Sequence, residues 1–220
     1  IPLRLVGSEM CIRDSPDTME MKVGTLERID DVVKRIKRYK PVFNASGGGL
    51  TLSGGEALFQ IAFTRRLLKE VHDAGIHTTI DTSGYLGSRV RDEDMDNIDL
   101  VLLDVKAGDE ETYKEVTRRE LQPTIDFGDR LNEIGKPVWI RFVVVPGLTD
   151  APENVANVVK IVSRWKSNVE RVEVLPFHNM GADKWRELGY PYTLEDTKPP
   201  KPEDVESIRD AFREEGFVVY

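Results

Sequence analysis

Cysteine is nearly absent from this sequence: Cys11 is the one thiol in 220 residues. A disulfide framework is therefore excluded. Histidine is scarce too, and His72, His77 and His178 are not spaced for zinc. No apolar run approaches the roughly 20 residues that a membrane-spanning helix needs. No secretory leader is visible, so the cytoplasm is the expected compartment and the Asn44-Ala45-Ser46 glycosylation pattern carries no meaning. Positive charge is in deficit, with a formal net charge of −8 and basic residues dispersed except over Lys34–Lys40. That balance argues against general nucleic-acid binding and against an anionic membrane surface. The remaining composition, 40% apolar and 32% charged, is ordinary for one globular domain with a sizeable core.

The first twenty residues, "IPLRLVGSEMCIRDSPDTME", begin without Met and show no hydrophobic period. The "LVGSEMCIRD" portion resembles assembly or adapter artefacts in translated environmental sequence. Ile1 to about Asp14 is therefore expected to be non-native, and the chain divides into a leader over residues 1–16 and one domain over 17–220.

From Thr25 the pattern is regular. Thr25 is placed to cap a helix carrying Leu26, Ile29, Val32, Val33, Ile36 and Tyr39 on one side. Strands are expected at Leu50–Ser53, Thr78–Thr82, Leu100–Val105, Val138–Val145, Arg171–Leu175 and Phe217–Tyr220. Helices are expected near Ala57–Ala74, Asp92–Asn97, Glu110–Thr117, Thr124–Ile134, Pro152–Lys166 and Pro202–Glu215. Gly75 and Gly135 stand where helix C-terminal glycines stand. Strand–helix alternation of this kind predicts an α/β fold with a mostly parallel sheet, flat or closed. No internal repeat or linker interrupts it, and "KPPKP" at Lys198–Pro202 reads as a rigid turn before the last helix.

Chemistry-bearing residues collect where these strands end. The Leu50 strand runs into Ser53-Gly54-Gly55-Glu56, and the Thr78 strand into Asp81-Thr82-Ser83-Gly84. "LVLLDVK" delivers Asp104 and Lys106, "VWIRFVVVPG" carries Arg141, and "RVEVLPFH" ends at His178. Parallel strands bring their carboxyl ends to one edge, which is where such folds build sites. The bland alternative is that loops are polar anyway.

Each element has two readings. Five glycines lie between Gly47 and Gly55. Gly54-Gly55 removes two Cβ atoms, so backbone N–H groups can approach a ligand near a positive helix N-terminus. As a phosphate loop it fails, because Gly55-Glu56 stands where Lys-Ser/Thr is needed. Glu56 suits a ligand ammonium and backbone amides suit a carboxylate, so an amino acid moiety satisfies both; alternatively this is a tight turn with a helix-start carboxylate. Asp104 and Lys106 point to one side of a strand and either neutralise each other or polarise a ligand; Lys106 alone also suits a Schiff base. Asp81 and Thr82 either cap a helix or offer oxygens to a small cation. His178 reads more simply as a loop residue than as a catalyst.

Taken together, "NASGGGLTLSGGEAL", "GIHTTIDTSG", "DLVLLDVK", "VWIRFVVVPG" and "VEVLPFH" resemble the pyruvate formate-lyase activating enzymes, glycyl-radical-enzyme activases of the radical S-adenosylmethionine superfamily. The resemblance runs from about Asp17 to the C-terminus. It implies a partial (β/α)6 TIM-like barrel, here lacking its first strand and cluster loop. It implies S-adenosylmethionine held by Gly54, Gly55 and Glu56 at its methionyl end, flanked by Asp104, Val105 and Lys106, with His178 by the adenosyl portion. Arg141 would face cofactor or substrate peptide, and Asp81, Thr82 and Asp104 would hold a monovalent cation. The implied partners are a glycyl radical enzyme (formate acetyltransferase) and a flavodoxin-like electron donor, with no nucleic acid and no membrane. In the implied reaction one electron from a [4Fe–4S] cluster cleaves S-adenosylmethionine, and the resulting 5′-deoxyadenosyl radical takes hydrogen from a glycine Cα.

The sequence departs from the family at one point. The cluster needs Cys-x3-Cys-x2-Cys, and no such motif is present. "RDSPDTMEM" aligns just downstream of it, so the chain reads as an inactive, N-terminally truncated activase with a bare edge on the Leu50 strand. Two rivals remain: a cluster-free protein that binds S-adenosylmethionine or docks on the partner without catalysis, and a Schiff-base lyase built on Lys106.

Overall fold

The structure, a computed structural model, describes residues 27–179 and 192–220. The expected leader, Cys11 and the Thr25 cap lie outside the described residues. In chain order the elements are α1 (Ile29–Arg38), α2 (Lys40–Ser46), β1 (Gly49–Leu52), α3 (Ile61–His72), β2 (His77–Thr82), α4 (Asp92–Met95), β3 (Leu100–Asp104), α5 (Glu110–Thr117), α6 (Gln122–Glu133), β4 (Val138–Val144), α7 (Pro152–Ser163), β5 (Val169–Pro176) and α8 (Pro202–Glu214). A single 3₁₀ turn spans Gly87–Arg89. The fold is α/β, with the strands in one parallel sheet in the order β1-β2-β3-β4-β5. Among the described residues no helix is long and apolar enough to cross a membrane.

By compactness the chain divides into two units, one ending at Asp104 and rejoined by Gln122–Val138, the other comprising Val105–Leu121 and Trp139–Tyr220. In the first unit β1 pairs with β2 from Gly49↔His77 to Leu52↔Ile80, and β2 with β3 from Thr79↔Leu100 to Thr82↔Leu103. Ile80, Val101 and Leu103 are fully buried, as are Leu67, Leu68 and Val71 of α3. These are the apolar positions of a helix laid over a parallel sheet. α1 lies against α3 through Val32 and Val33, and Arg66 of α3 reaches Asp30 at 2.8 Å. Gly75 (φ +67°) and Gly135 (φ +64°) end α3 and α6 in the left-handed conformation, as expected.

Along β4 the alternation is complete: Val138, Ile140, Phe142 and Val144 are buried, while Trp139, Arg141 and Val143 are half-buried. β5 repeats the pattern, with Val172 and Val174 buried and Arg171, Glu173 and Leu175 half-buried. Trp165 and Phe212 fill the core beside Val158 and Val162 of α7. Asp109 caps α5 by accepting from the Thr112 N–H at 2.8 Å, and Pro152 and Pro202 open α7 and α8.

Four expectations change. The helix expected from Ala57 starts at Ile61, because residues 57–60 form turns whose amides bond locally, Leu58 N–H to Glu56 Oε1 and Phe59 N–H to the Glu56 carbonyl. The Leu100 strand stops at Asp104, so Lys106 lies in the following loop and is not a strand neighbour of Asp104. The last strand reduces to a parallel bridge, Val172↔Val219. The Thr25-to-Tyr39 helix is followed at once by a second, short α2, with Pro41 in its first turn.

Candidate functional site

In the first unit, β1 delivers the chain to Ser53-Gly54-Gly55-Glu56. Gly54 takes φ +141°, a conformation closed to residues with a Cβ. The Glu56 side chain then turns into the protein and is 9% exposed. Its Oε1 accepts from the Thr82 hydroxyl at 2.5 Å and the Leu58 N–H at 3.0 Å. Its Oε2 accepts from the Ser83 N–H at 3.1 Å and the Ser83 hydroxyl at 2.8 Å. Four donors on one carboxylate join the turn after β1 to the turn after β2. The carboxylate expected to face a ligand ammonium accepts here from Thr82, Ser83 and the Leu58 N–H. The expected helix N-terminus behind Gly55 is displaced as well, since α3 starts five residues beyond Glu56.

The turn after β2 is held from a second side. Thr124 of α6 donates to the Ser83 carbonyl at 2.8 Å, and Gly84 (φ +75°) lies so close to Leu103 and Phe127 that a Cβ would meet them at 2.9 and 3.2 Å. The strand register sorts the expected cation ligands by face. Asp81 pairs with Leu102, which shares its face with Asp104, so both half-buried carboxylates stand on one face at adjacent strand ends. Thr82, one residue on, points the other way to Glu56, so its hydroxyl does not join them. Asp81 also accepts from the Ser53 hydroxyl at 3.1 Å. Among the described residues no group of three or more His, Cys, Asp or Glu side chains could hold a metal ion.

In the second unit, the Val105 N–H donates to the Arg141 carbonyl at 3.0 Å and its side chain is fully buried, a core role for a residue expected at the cofactor. Lys106 is half-buried in the loop beyond. Arg141 stands 3.3 Å from Glu173, which also takes Arg171 at 2.6 Å. The Arg171 guanidinium lies 3.3 Å above the Trp139 ring and 5.1 Å from that of Tyr220. The Trp139 indole N–H donates to Glu170 at 2.8 Å. His178 is exposed, two residues past β5, and the adjacent Asn179 amide bonds the Glu195 and Thr197 carbonyls at 2.9 and 3.2 Å. Ser83, Glu173 and Arg171 were not among the expected site residues. The alternation in "RVEV" was the visible signal for the last two.

Comparison with known proteins supplies the class. The Radical SAM superfamily model matches residues 10–159. The pyruvate formate-lyase-activating enzyme of Staphylococcus epidermidis is 39% identical over 210 residues, 92% of this chain and 82% of that protein. The enzyme of the same name from Clostridium pasteurianum is 40% identical over 200 residues, 91% and 83% of the two chains. A crystallised domain of the Bacteroides vulgatus pyruvate-formate lyase-activating enzyme superposes with a TM-score of 0.64 at 22% identity, covering 79% of this chain and 98% of that one. The chain therefore belongs to the radical SAM superfamily and, within it, to the family of the pyruvate formate-lyase-activating enzymes. The α/β fold of the partial-barrel radical SAM type is the one this membership carries. The cofactors of the intact family are S-adenosylmethionine and a [4Fe–4S] cluster.

The residues present fit the first of these and not the second. S-adenosylmethionine carries a sulfonium and an ammonium, and the paired half-buried carboxylates Asp81 and Asp104 suit positive charge. The half-buried Gly54-Gly55 turn, which carries no Cβ, follows Ser53, whose hydroxyl bonds Asp81. A cluster needs several thiolates, and the sequence has one cysteine.

Proposed function

We propose that this chain serves the activation of formate acetyltransferase (pyruvate formate-lyase), in which S-adenosylmethionine is consumed to place a radical on a glycine of the partner. The observation that carries the reading is the 39–40% identity to activating enzymes across 91–92% of the chain. In the first unit the proposed ligand contacts are the Gly54-Gly55-Glu56 backbone with Asp81 and Asp104. The Thr82 hydroxyl and the Glu56 carboxylate act there by fixing the two turns. In the second unit they are the Lys106 side chain and Arg141, and His178 is proposed for the adenosyl portion. Val105 contributes backbone and core packing. Arg141, oriented by Glu173, is proposed to meet the substrate peptide. The compartment is proposed to be the cytoplasm, and a flavodoxin-like protein is the proposed donor for a cluster-bearing form.

A second reading is a cluster-free protein that binds S-adenosylmethionine or docks on the partner without chemistry, which a native N-terminus without the cysteine motif would support. One experiment separates the two. The chain is compared with a form preceded by a Cys-x3-Cys-x2-Cys segment, both given iron, sulfide, reductant, S-adenosylmethionine and formate acetyltransferase. The proposal expects a glycyl-radical EPR signal only with the extended form. An extended form that assembles a cluster yet yields no radical on this partner would overturn the assignment of substrate.

A further inference from the structure

A buried amide not used by the site as described sits on α7. Asn154 is 2% exposed, and both ends of its side chain are occupied. Its Oδ1 accepts from the Gly108 N–H at 2.7 Å, and its Nδ2 donates to the Thr149 carbonyl at 2.7 Å. Thr149, 1% exposed, donates its own hydroxyl to the Val143 carbonyl and accepts from the Val145 N–H, each at 2.8 Å. A chain of hydrogen bonds thus runs from the exit of β4 to the loop that follows β3. Gly108 lies hard against α7: a Cβ there would meet the Val158 N–H and, at 2.6 Å, the Asn154 carbonyl. An amide buried this deeply persists only where both ends are satisfied, and it then holds its partners in one geometry.

The loop it holds is short and anchored twice. Val105 N–H is tied to the Arg141 carbonyl, and Gly108 N–H to Asn154. Between these anchors Val105 and Ala107 are fully buried, so Lys106 is the one side chain of residues 105–107 that reaches solvent. Asp109 follows directly as the cap of α5. We infer that Asn154 is a positioning residue: by clamping the Gly108 backbone it sets the direction in which the loop presents Lys106 to S-adenosylmethionine. This rests on the functional reading above. Placement by buried hydrogen bonds costs the ligand no loop ordering on binding, whereas a loosened loop must be ordered each time.

The test uses the full chain and three variants. Asn154→Leu removes the clamp at similar volume, Gly108→Ala displaces the loop sterically, and Thr149→Val removes only the hydroxyl while keeping the carbonyl that Asn154 bonds. Hydrogen exchange is followed at the Gly108 amide, and S-adenosylmethionine binding is measured by calorimetry. Asn154→Leu and Gly108→Ala are expected to speed Gly108 exchange and weaken binding about tenfold. Thr149→Val is expected to lower the melting temperature but leave affinity within about twofold. A merely structural Asn154 would give the same affinity in all three variants, and that result overturns the inference. Wild-type protein that fails to bind S-adenosylmethionine while Asn154→Leu still frees the Gly108 amide overturns the functional reading, and with it the link from clamp to cofactor. Unchanged Gly108 exchange in Asn154→Leu, with wild type binding normally, overturns the clamp alone.

Discussion

The Thr82 hydroxyl lies 2.5 Å from Oε1 of Glu56, joining two strand-end turns 26 residues apart in sequence. The bond is one of four on a nearly buried carboxylate, so Glu56 is a structural hub of the site. Glu56→Gln turns an NH₂ toward donors that need an acceptor. A loss of about 1–3 kcal/mol in urea-unfolding free energy is expected. Unchanged stability in Glu56→Gln would mean that the carboxylate does not hold these turns together.

Gly54→Ala is expected to cost about 1–3 kcal/mol, because φ +141° admits no Cβ without strain. Gly135→Ala strains an exposed helix end at φ +64°, a left-handed position that L residues tolerate better. Thermal unfolding of the two variants should rank Gly54→Ala as the more damaging; equal losses would argue against strain at Gly54.

Gly87 packs under the Phe127 ring, where a new Cβ would lie 2.6 Å from the Phe127 Cβ and closer still to ring carbons. Gly87→Ala should destabilise by about 1–3 kcal/mol through overpacking. Combining it with Phe127→Leu should recover part of that loss, giving a measurable coupling in a double-mutant cycle. Strict additivity would show that the two residues do not compete for space.

Asp94 supplies a pH dependence. Burial works to raise its carboxyl, but hydrogen bonds from the Arg91 side chain and backbone N–H and from Arg65 outweigh it and hold the group below the usual carboxylate range. The Arg65 bond is 2.6 Å and the Arg91 bonds are 2.9–3.1 Å. A folded-state pKa below the unfolded one stabilises the fold above about pH 4, and that contribution is lost as pH falls through the folded value. The stability gap between wild type and Asp94→Asn should therefore be full at pH 7 and shrink steadily below about pH 4. A gap that grows on acidification would reverse the assignment.

Much of the fold was legible because it is encoded locally. The α5 helix has the expected bounds, Glu110–Thr117, and the five strands of the sheet fall within two residues of the expected ends, because apolar runs set between glycine and acidic turns mark them. α2 escaped because Lys40–Ser46 buries no residue and so carries no stripe. The start of α3 was misplaced because Leu58, fully buried, extends the apolar period through a turn that is not helical. The site was harder to read for a different reason. Glycines and carboxylates at strand ends are visible residue by residue, but the Glu56–Ser83 and Gly108–Asn154 bonds span 27 and 46 positions. A carboxylate that faces a ligand and one that faces a distant serine look identical in sequence.

The proposed site sets S-adenosylmethionine against the Gly54-Gly55 turn and the Asp81–Asp104 face. Titration calorimetry of the chain with S-adenosylmethionine, repeated on Gly55→Val, tests it most directly. Saturable one-to-one binding is expected, weakened at least about tenfold in Gly55→Val by obstruction of the backbone approach. Equal binding by both proteins, or no binding by the wild type, would contradict it.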